Sequence, residues 1–185
     1  MWVMRAKIIL RLAAIFVPAL VSTFPAFAAD DVSLADLKAA TRSLGFLQNL
    51  PRESTLAIGI VYASGSAASK SLGQQTAERL RGLPGPNNSS LKIELIATGD
   101  LAGNTSHLDA LYLVPGATGS AAMIADVARR RHLLVMSNDP ACLDQRCCML
   151  MVRDTGRVEI VLDSTLTQAA GITFSSVFAM MVKHK

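Results

Sequence analysis

The sequence predicts an α/β fold: a mostly parallel sheet with flanking helices, closing with an antiparallel hairpin and a C-terminal helix. Three observations predict it. Apolar runs without alternation, such as Thr55 to Tyr62, suit strands covered on both faces. Between these runs lie stretches whose apolar residues recur at helical spacing, so strands alternate with helices. Near the end, Arg153-Asp154-Thr155-Gly156 joins two apolar runs, Met149 to Val152 and Val158 to Leu162, at hairpin distance.

The chain opens on a segment that this fold does not use. Met1 to Ala28 reads as a secretory signal peptide. Arg5, Lys7 and Arg11 give a basic start without acids, Leu12 to Val21 is apolar, and Ala26-Phe27-Ala28 is a small-x-small cleavage site. The competing reading is a retained anchor, but the run is broken by Pro18 and Pro25 and falls short of the ~20 apolar residues a span needs. Residues 29 to 185 are then one exported domain, expected in the periplasm and not spanning the membrane. The segment holds three of the 18 Lys and Arg and none of the 14 acids, which leaves 15 bases against 14 acids. A near-neutral chain lacks the basic patch that nucleic-acid binding requires.

The elements follow in order. Ser33 to Leu47 is expected to be a helix, capped by Ser33 with Asp36 three residues on, and ended by Asn49-Leu50-Pro51. Thr55 to Tyr62 is the first strand. Ala63-Ser64-Gly65-Ser66 is a turn, and Ala67 to Leu80 a helix. Gly82 to Ser90, rich in Gly, Pro and Asn, is a loop. Leu91 to Ala97 alternates apolar and charged residues, which places this strand near an edge. Gly99 to His107 is irregular. Asp109 to Val114 and His132 to Met136 are strands flanking a helix, Ser120 to Arg131. After the cysteine-bearing loop comes the hairpin, then a helix over Leu166 to Met181 and a solvated Lys183-His184-Lys185 end. Parallel strands with right-handed crossovers give a Rossmann-like three-layer arrangement.

Two groups of residues are candidates for function. Cys142, Cys147 and Cys148 lie within seven positions. In an oxidising compartment Cys142 and Cys147 can pair as a structural disulfide, with Cys148 a buried thiol opening the next strand. A redox switch and a metal site are the alternatives; zinc would want a fourth ligand, and no His lies nearby in sequence. Adjacent strand residues point to opposite faces, so only one of Cys147 and Cys148 is expected to face Cys142. The second group lies on the rim where strands of such a sheet end: Ser64, Gly65, Ser66, Gly116 and Asp139. Ligands of open α/β sheets bind there, although these residues fit neither Gly-x-Gly-x-x-Gly nor a Walker loop. Ser64 to Ser66 reads equally as an ordinary turn, and Asp139 as a cap of the cysteine loop. The three histidines are scattered, no catalytic set is visible, and no cofactor is expected.

The closing residues resemble a known family. Gly156 to Leu162 is followed by Ala169-Ala170-Gly171-Ile172-Thr173-Phe174-Ser175-Ser176. With Asp109-Ala110-Leu111-Tyr112-Leu113-Val114-Pro115 and Ser137-Asn138-Asp139, they resemble the exported YfiR/HmsC-like proteins. There an Ala-x-x-Gly helix, then one or two serines and an apolar helix, close the chain. The resemblance implies a small periplasmic α/β protein that restrains a membrane-bound diguanylate cyclase by binding its periplasmic sensor domain, lowering cyclic-di-GMP. It also implies a disulfide at Cys142 and Cys147. The chain departs from the pattern where Arg146-Cys147-Cys148 replaces paired glycines, and where Phe46 to Pro51 replaces an aromatic-rich segment.

The resulting expectation is a non-enzymatic regulatory binding protein with an inner-membrane sensor or cyclase as partner. It calls for an exposed apolar patch, and Val177 to Val182 is the candidate, although a core helix competes. The alternative is a small-ligand receptor resembling one lobe of a periplasmic substrate-binding protein. Its shallow rim would need a partner lobe or a homodimer to enclose a ligand. A thiol oxidoreductase fits less well, because Cys-x-x-Cys is missing.

Overall fold

The computed structural model describes residues 31–48 and 55–185. The expected signal peptide and the break at Asn49-Leu50-Pro51 lie outside the described residues.

Seven strands form one sheet: β1 (Thr55–Tyr62), β2 (Ser90–Ala97), β3 (Ala110–Leu113), β4 (Leu134–Ser137), β5 (Leu150–Asp154), β6 (Val158–Leu162) and β7 (Lys183–His184). Their order is β2-β1-β3-β4-β5-β6-β7. All pairs are parallel except the β5–β6 hairpin. The helices are α1 (Leu34–Leu44), α2 (Ala67–Arg81), α3 (Ala121–Arg131), α4 (Pro140–Asp144), α5 (Ser164–Ala169) and α6 (Ser176–Met181). The fold class is therefore the expected one, α/β with a mostly parallel sheet flanked by helices.

β3 and β4 lie at the middle of the sheet, and every residue of each is buried. β2 is an edge strand, which explains its alternation. From β1 the chain steps through α2 to β2, then returns past β1 to β3 and continues to β5. The strand order thus reverses between β1 and β3. Right-handed crossovers in opposite directions put α2 and α3 on opposite faces of the sheet. α1 packs on β5 and beside α2.

Three expectations need correction. α1 ends at Leu44, and Leu47 instead bridges Phe174 in antiparallel fashion. The single helix expected over Leu166 to Met181 is two helices. Gly171 at φ +68° stops α5, residues 172–174 run on to the bridge with Leu47, and Ser175 starts α6 by accepting from Phe178 N. The Lys183 end is not merely solvated; β7 pairs with β6, and Lys185 N donates to Leu162 O. No helix among the described residues is long and apolar enough to cross a membrane.

Candidate functional site

The expected rim sits at the carboxyl ends of β1, β3 and β4, three neighbours in the sheet. Ser64 is exposed, and its Oγ accepts from Gly99 N (2.7 Å) and Thr98 Oγ1 (3.1 Å), which ties the end of β1 to the end of β2. Ser66 caps α2, its Oγ accepting from Ser69 N at 3.2 Å. Asp139 caps α4, its Oδ1 accepting from Ala141 N at 2.9 Å. Gly65 (φ +77°) and Gly116 (φ +85°) turn the chain in the left-handed region, with open space where a Cβ would stand. The rim's side chains thus shape its loops, and its outward surface is largely backbone.

Beside Asp139 lies a buried polar cluster that sequence reasoning missed. Asp36, in the first turn of α1, is only 2% exposed. Its carboxylate accepts from Ser33 N (3.0 Å), Asn138 Nδ2 (3.2 Å) and Asp154 N (2.6 Å). Ser33 Oγ accepts from Asp36 N in return, a reciprocal capping box. One acid therefore ties the start of α1 to the ends of β4 and β5. The only sequence signal was Ser33 with Asp36 three positions on; the partners from β4 and β5 are over 100 residues away. Tyr112, fully buried on β3, has no partner for its hydroxyl. Burial raises its pKa well above the usual phenol value, and the charges of Asp36 and Cys148 push the same way.

The cysteines form a buried group at the amino end of β5. Cys142 lies in α4, and its Sγ is 2.9 Å from that of Cys147. All three stand as thiols in this structure. Cys148 differs from expectation: it precedes β5 rather than opening it. Of the two neighbours only Cys147 makes a hydrogen bond to Cys142, as expected, although both precede β5 and follow the turn at Arg146 (φ +56°). Burial pushes the Cys142 and Cys148 thiols up. The hydrogen bond from Cys142 draws Cys147 down against its own burial. Cys147 and Cys148 line a pocket of about 290 Å³ that also meets α3 and α5. Among the described residues no group of three or more His, Cys, Asp or Glu is arranged to hold a metal ion.

The histidines stay apart. His107 pairs with Glu94, and His132 Nδ1 meets Ala170 O at 2.8 Å. His184 Nδ1 lies 2.8 Å from Ser164 Oγ, but its Nε2 meets the Ala179 carbonyl. Without a carboxylate to stabilise an imidazolium, this Ser–His contact lacks the third member of a nucleophilic triad.

At the C-terminus, Val177, Met180 and Met181 form an exposed face of α6 at i, i+3 and i+4 spacing, while Phe178 turns inward. Phe178 stacks on Phe46 and Phe174, with ring centroids 5.0 and 4.7 Å away. Met181 and the exposed Val158 share a shallow pocket. The candidate stretch is thus split between core and surface.

An open α/β sheet whose order reverses beside a carboxyl-end rim is the class of architecture found here. No family model matches the sequence, and no curated protein matches it. Solved structures share the fold. A conserved domain protein from Vibrio cholerae O1 biovar El Tor aligns with a TM-score of 0.56 at 13% identity, over 82% of this chain and 60% of that one. An ABC domain from Streptococcus pneumoniae, in complex with L-Trp, aligns with a TM-score of 0.54 at 12% identity, over 78% and 61%. The chain spans about three-fifths of the length of these two structures.

Proposed function

We propose that this chain is an exported, non-enzymatic ligand-binding domain built like one lobe of a substrate-binding protein. The observation that carries this reading is the fold shared with the domain solved around L-Trp. Two features of the chain support it. The strand order reverses between β1 and β3, where open α/β sheets place ligands. Gly65 and Gly116 also leave backbone exposed at that rim. A second lobe, or a second copy of this chain, closes the site, because small-molecule sites bury most of their ligand. Calorimetric titration with an amino-acid panel that includes L-Trp tests the reading. Saturable binding with amide shifts at Ser64 to Ser66, Gly116 and Asp139 is the expected result. A panel without binding, or shifts away from the rim, overturns it.

A second reading has its own observation. The exposed Val158, Val177, Met180 and Met181 give the apolar patch that a regulator of an inner-membrane sensor or cyclase, of the YfiR/HmsC-like kind, would dock with. Crosslinked pull-down with wild type and with Met180→Glu/Met181→Glu separates the two readings. Recovery of a cyclase-bearing membrane protein by wild type alone favours the regulator. Its absence from both leaves the ligand-binding lobe as the reading.

A further inference from the structure

At the end of the sheet opposite the rim, a groove of about 880 Å³ runs between the last turns of α1 and the loop that leads into β2. Its volume falls in the range of small-molecule sites. One wall carries Lys38 and Arg42, exposed and four residues apart on α1. Among the described residues, neither has an ion-pair or hydrogen-bond partner for its side chain, and no acid lines the groove. Elsewhere, Arg79, Arg81, Lys92, Arg129 and Lys183 each sit on a carboxylate. Thr41, between the two cations in sequence, also lines the groove. It is 4% exposed, and its Oγ1 is buried without a partner.

The opposite wall is apolar and held in place. Leu83, Pro84 and Pro86 face Phe46 across the groove, and Phe46 is fixed by its stack on Phe178. The loop closes on itself through Gly85 N to Ser89 O (2.9 Å) and Ser89 Oγ to Pro86 O (2.8 Å). A Cβ at Gly85 would stand 2.3 Å from Ser89 Oγ, and one at Gly45 would stand 3.1 Å from Pro86 Cβ. Glycine at 85 therefore lets the loop close on itself, and glycine at 45 lets it lie against the end of α1.

We infer that this groove binds a small organic oxyanion, a phosphate or carboxylate on an apolar body. The anion sits between Lys38 and Arg42, and the body lies on Phe46 and the proline-rich wall. Arginine offers a carboxylate or phosphate two parallel donors, and charge-assisted bonds of this kind are the strong ones. The inference does not rest on the ligand-binding lobe proposed above, because the groove and the rim lie at opposite ends of the sheet.

The test is an amide-shift titration of the protein as the exporting cell processes it, with phenyl phosphate, benzoate, inorganic phosphate and benzyl alcohol. Saturable shifts over residues 38–46 and 83–88 are expected with phenyl phosphate or benzoate. Inorganic phosphate and benzyl alcohol should each bind more weakly. The stronger of the two aryl anions tells a phosphate site from a carboxylate site. Lys38→Gln/Arg42→Gln should weaken aryl-anion binding by roughly tenfold or more, since two charge-assisted contacts are lost. Both side chains are exposed, so the variant is expected to fold, which a thermal melt beside wild type checks. Shifts confined to the rim, or an affinity unchanged in the double variant, overturn the inference. Shifts in the groove without rim binding would uphold it while removing the lobe reading.

Discussion

Asp36 shows how one side chain can set the position of a helix. Replacing it by Ala leaves the amides of Ser33 and Asp154 without their acceptor, and Asn138 Nδ2 with only the Asp31 carbonyl at 3.5 Å. The expected loss is about 3 kcal/mol in a urea melt, given the cost of unpaired buried groups. Lys38→Gln, one turn-face away and exposed, should stay within about 0.5 kcal/mol. The thiols carry a second residue-scale prediction. Cys142 and Cys148 are harder to ionise folded than unfolded. Such groups give their full contribution below the ordinary thiol value, near 9, and lose it as pH rises further. In protein kept reduced, stability should fall as pH rises above about 9, and a Cys142→Ala/Cys148→Ala variant should flatten that fall. Mass mapping of unreduced protein from the exporting compartment is expected to find Cys142 bridged to Cys147. A loop that short contributes about 2 kcal/mol at most in the chain-entropy account, and three free thiols would refute the bridge.

At the scale of elements, what was legible follows from what is local. β1 and β6 run over the residues that their apolar runs mark, and Ser33 and Asp139 cap as their types suggest. These features depend on neighbours within a few positions. The split between α5 and α6 does not. Periodicity over Leu166 to Met181 favours one helix, whereas the structure breaks it because Phe174 pairs with Leu47 and Gly171 approaches His132. β7 was missed for the same reason: two exposed residues, Lys183 and His184, carry no strand pattern, and only the free edge of β6 recruits them. The rim residues could be placed from strand ends, but the groove at α1 and the Asp36 cluster join segments distant in sequence. Gly171→Ala tests the break directly. A left-handed φ and a Cβ 3.2 Å from the His132 ring should together cost about 1–2 kcal/mol, read by thermal melting. Ser175→Ala removes the cap of α6 and should cost about 1 kcal/mol.

For the molecule as a whole, the sheet presents two ends and one apolar flank, each with its own chemistry. The carboxyl end offers backbone and small hydroxyls, the amino end offers cations beside an apolar wall, and α6 offers methionines. Full-length chain carrying Met180→Glu/Met181→Glu should keep its melting temperature within a few degrees, because both side chains are exposed. A larger drop would mean that the patch is covered within the molecule. The pairing of Leu47 with Phe174, reinforced by Gln48 N to Thr173 O and Ser175 N to Phe46 O, sets an order of events. A chain synthesised from its N-terminus delivers α1 well before residues 173–175. The first helix then waits for these neighbours until every strand from β1 to β6 has emerged. Truncations that stop short of Thr173 should accordingly leave a chain that proteases cut within α1, whereas the full chain resists.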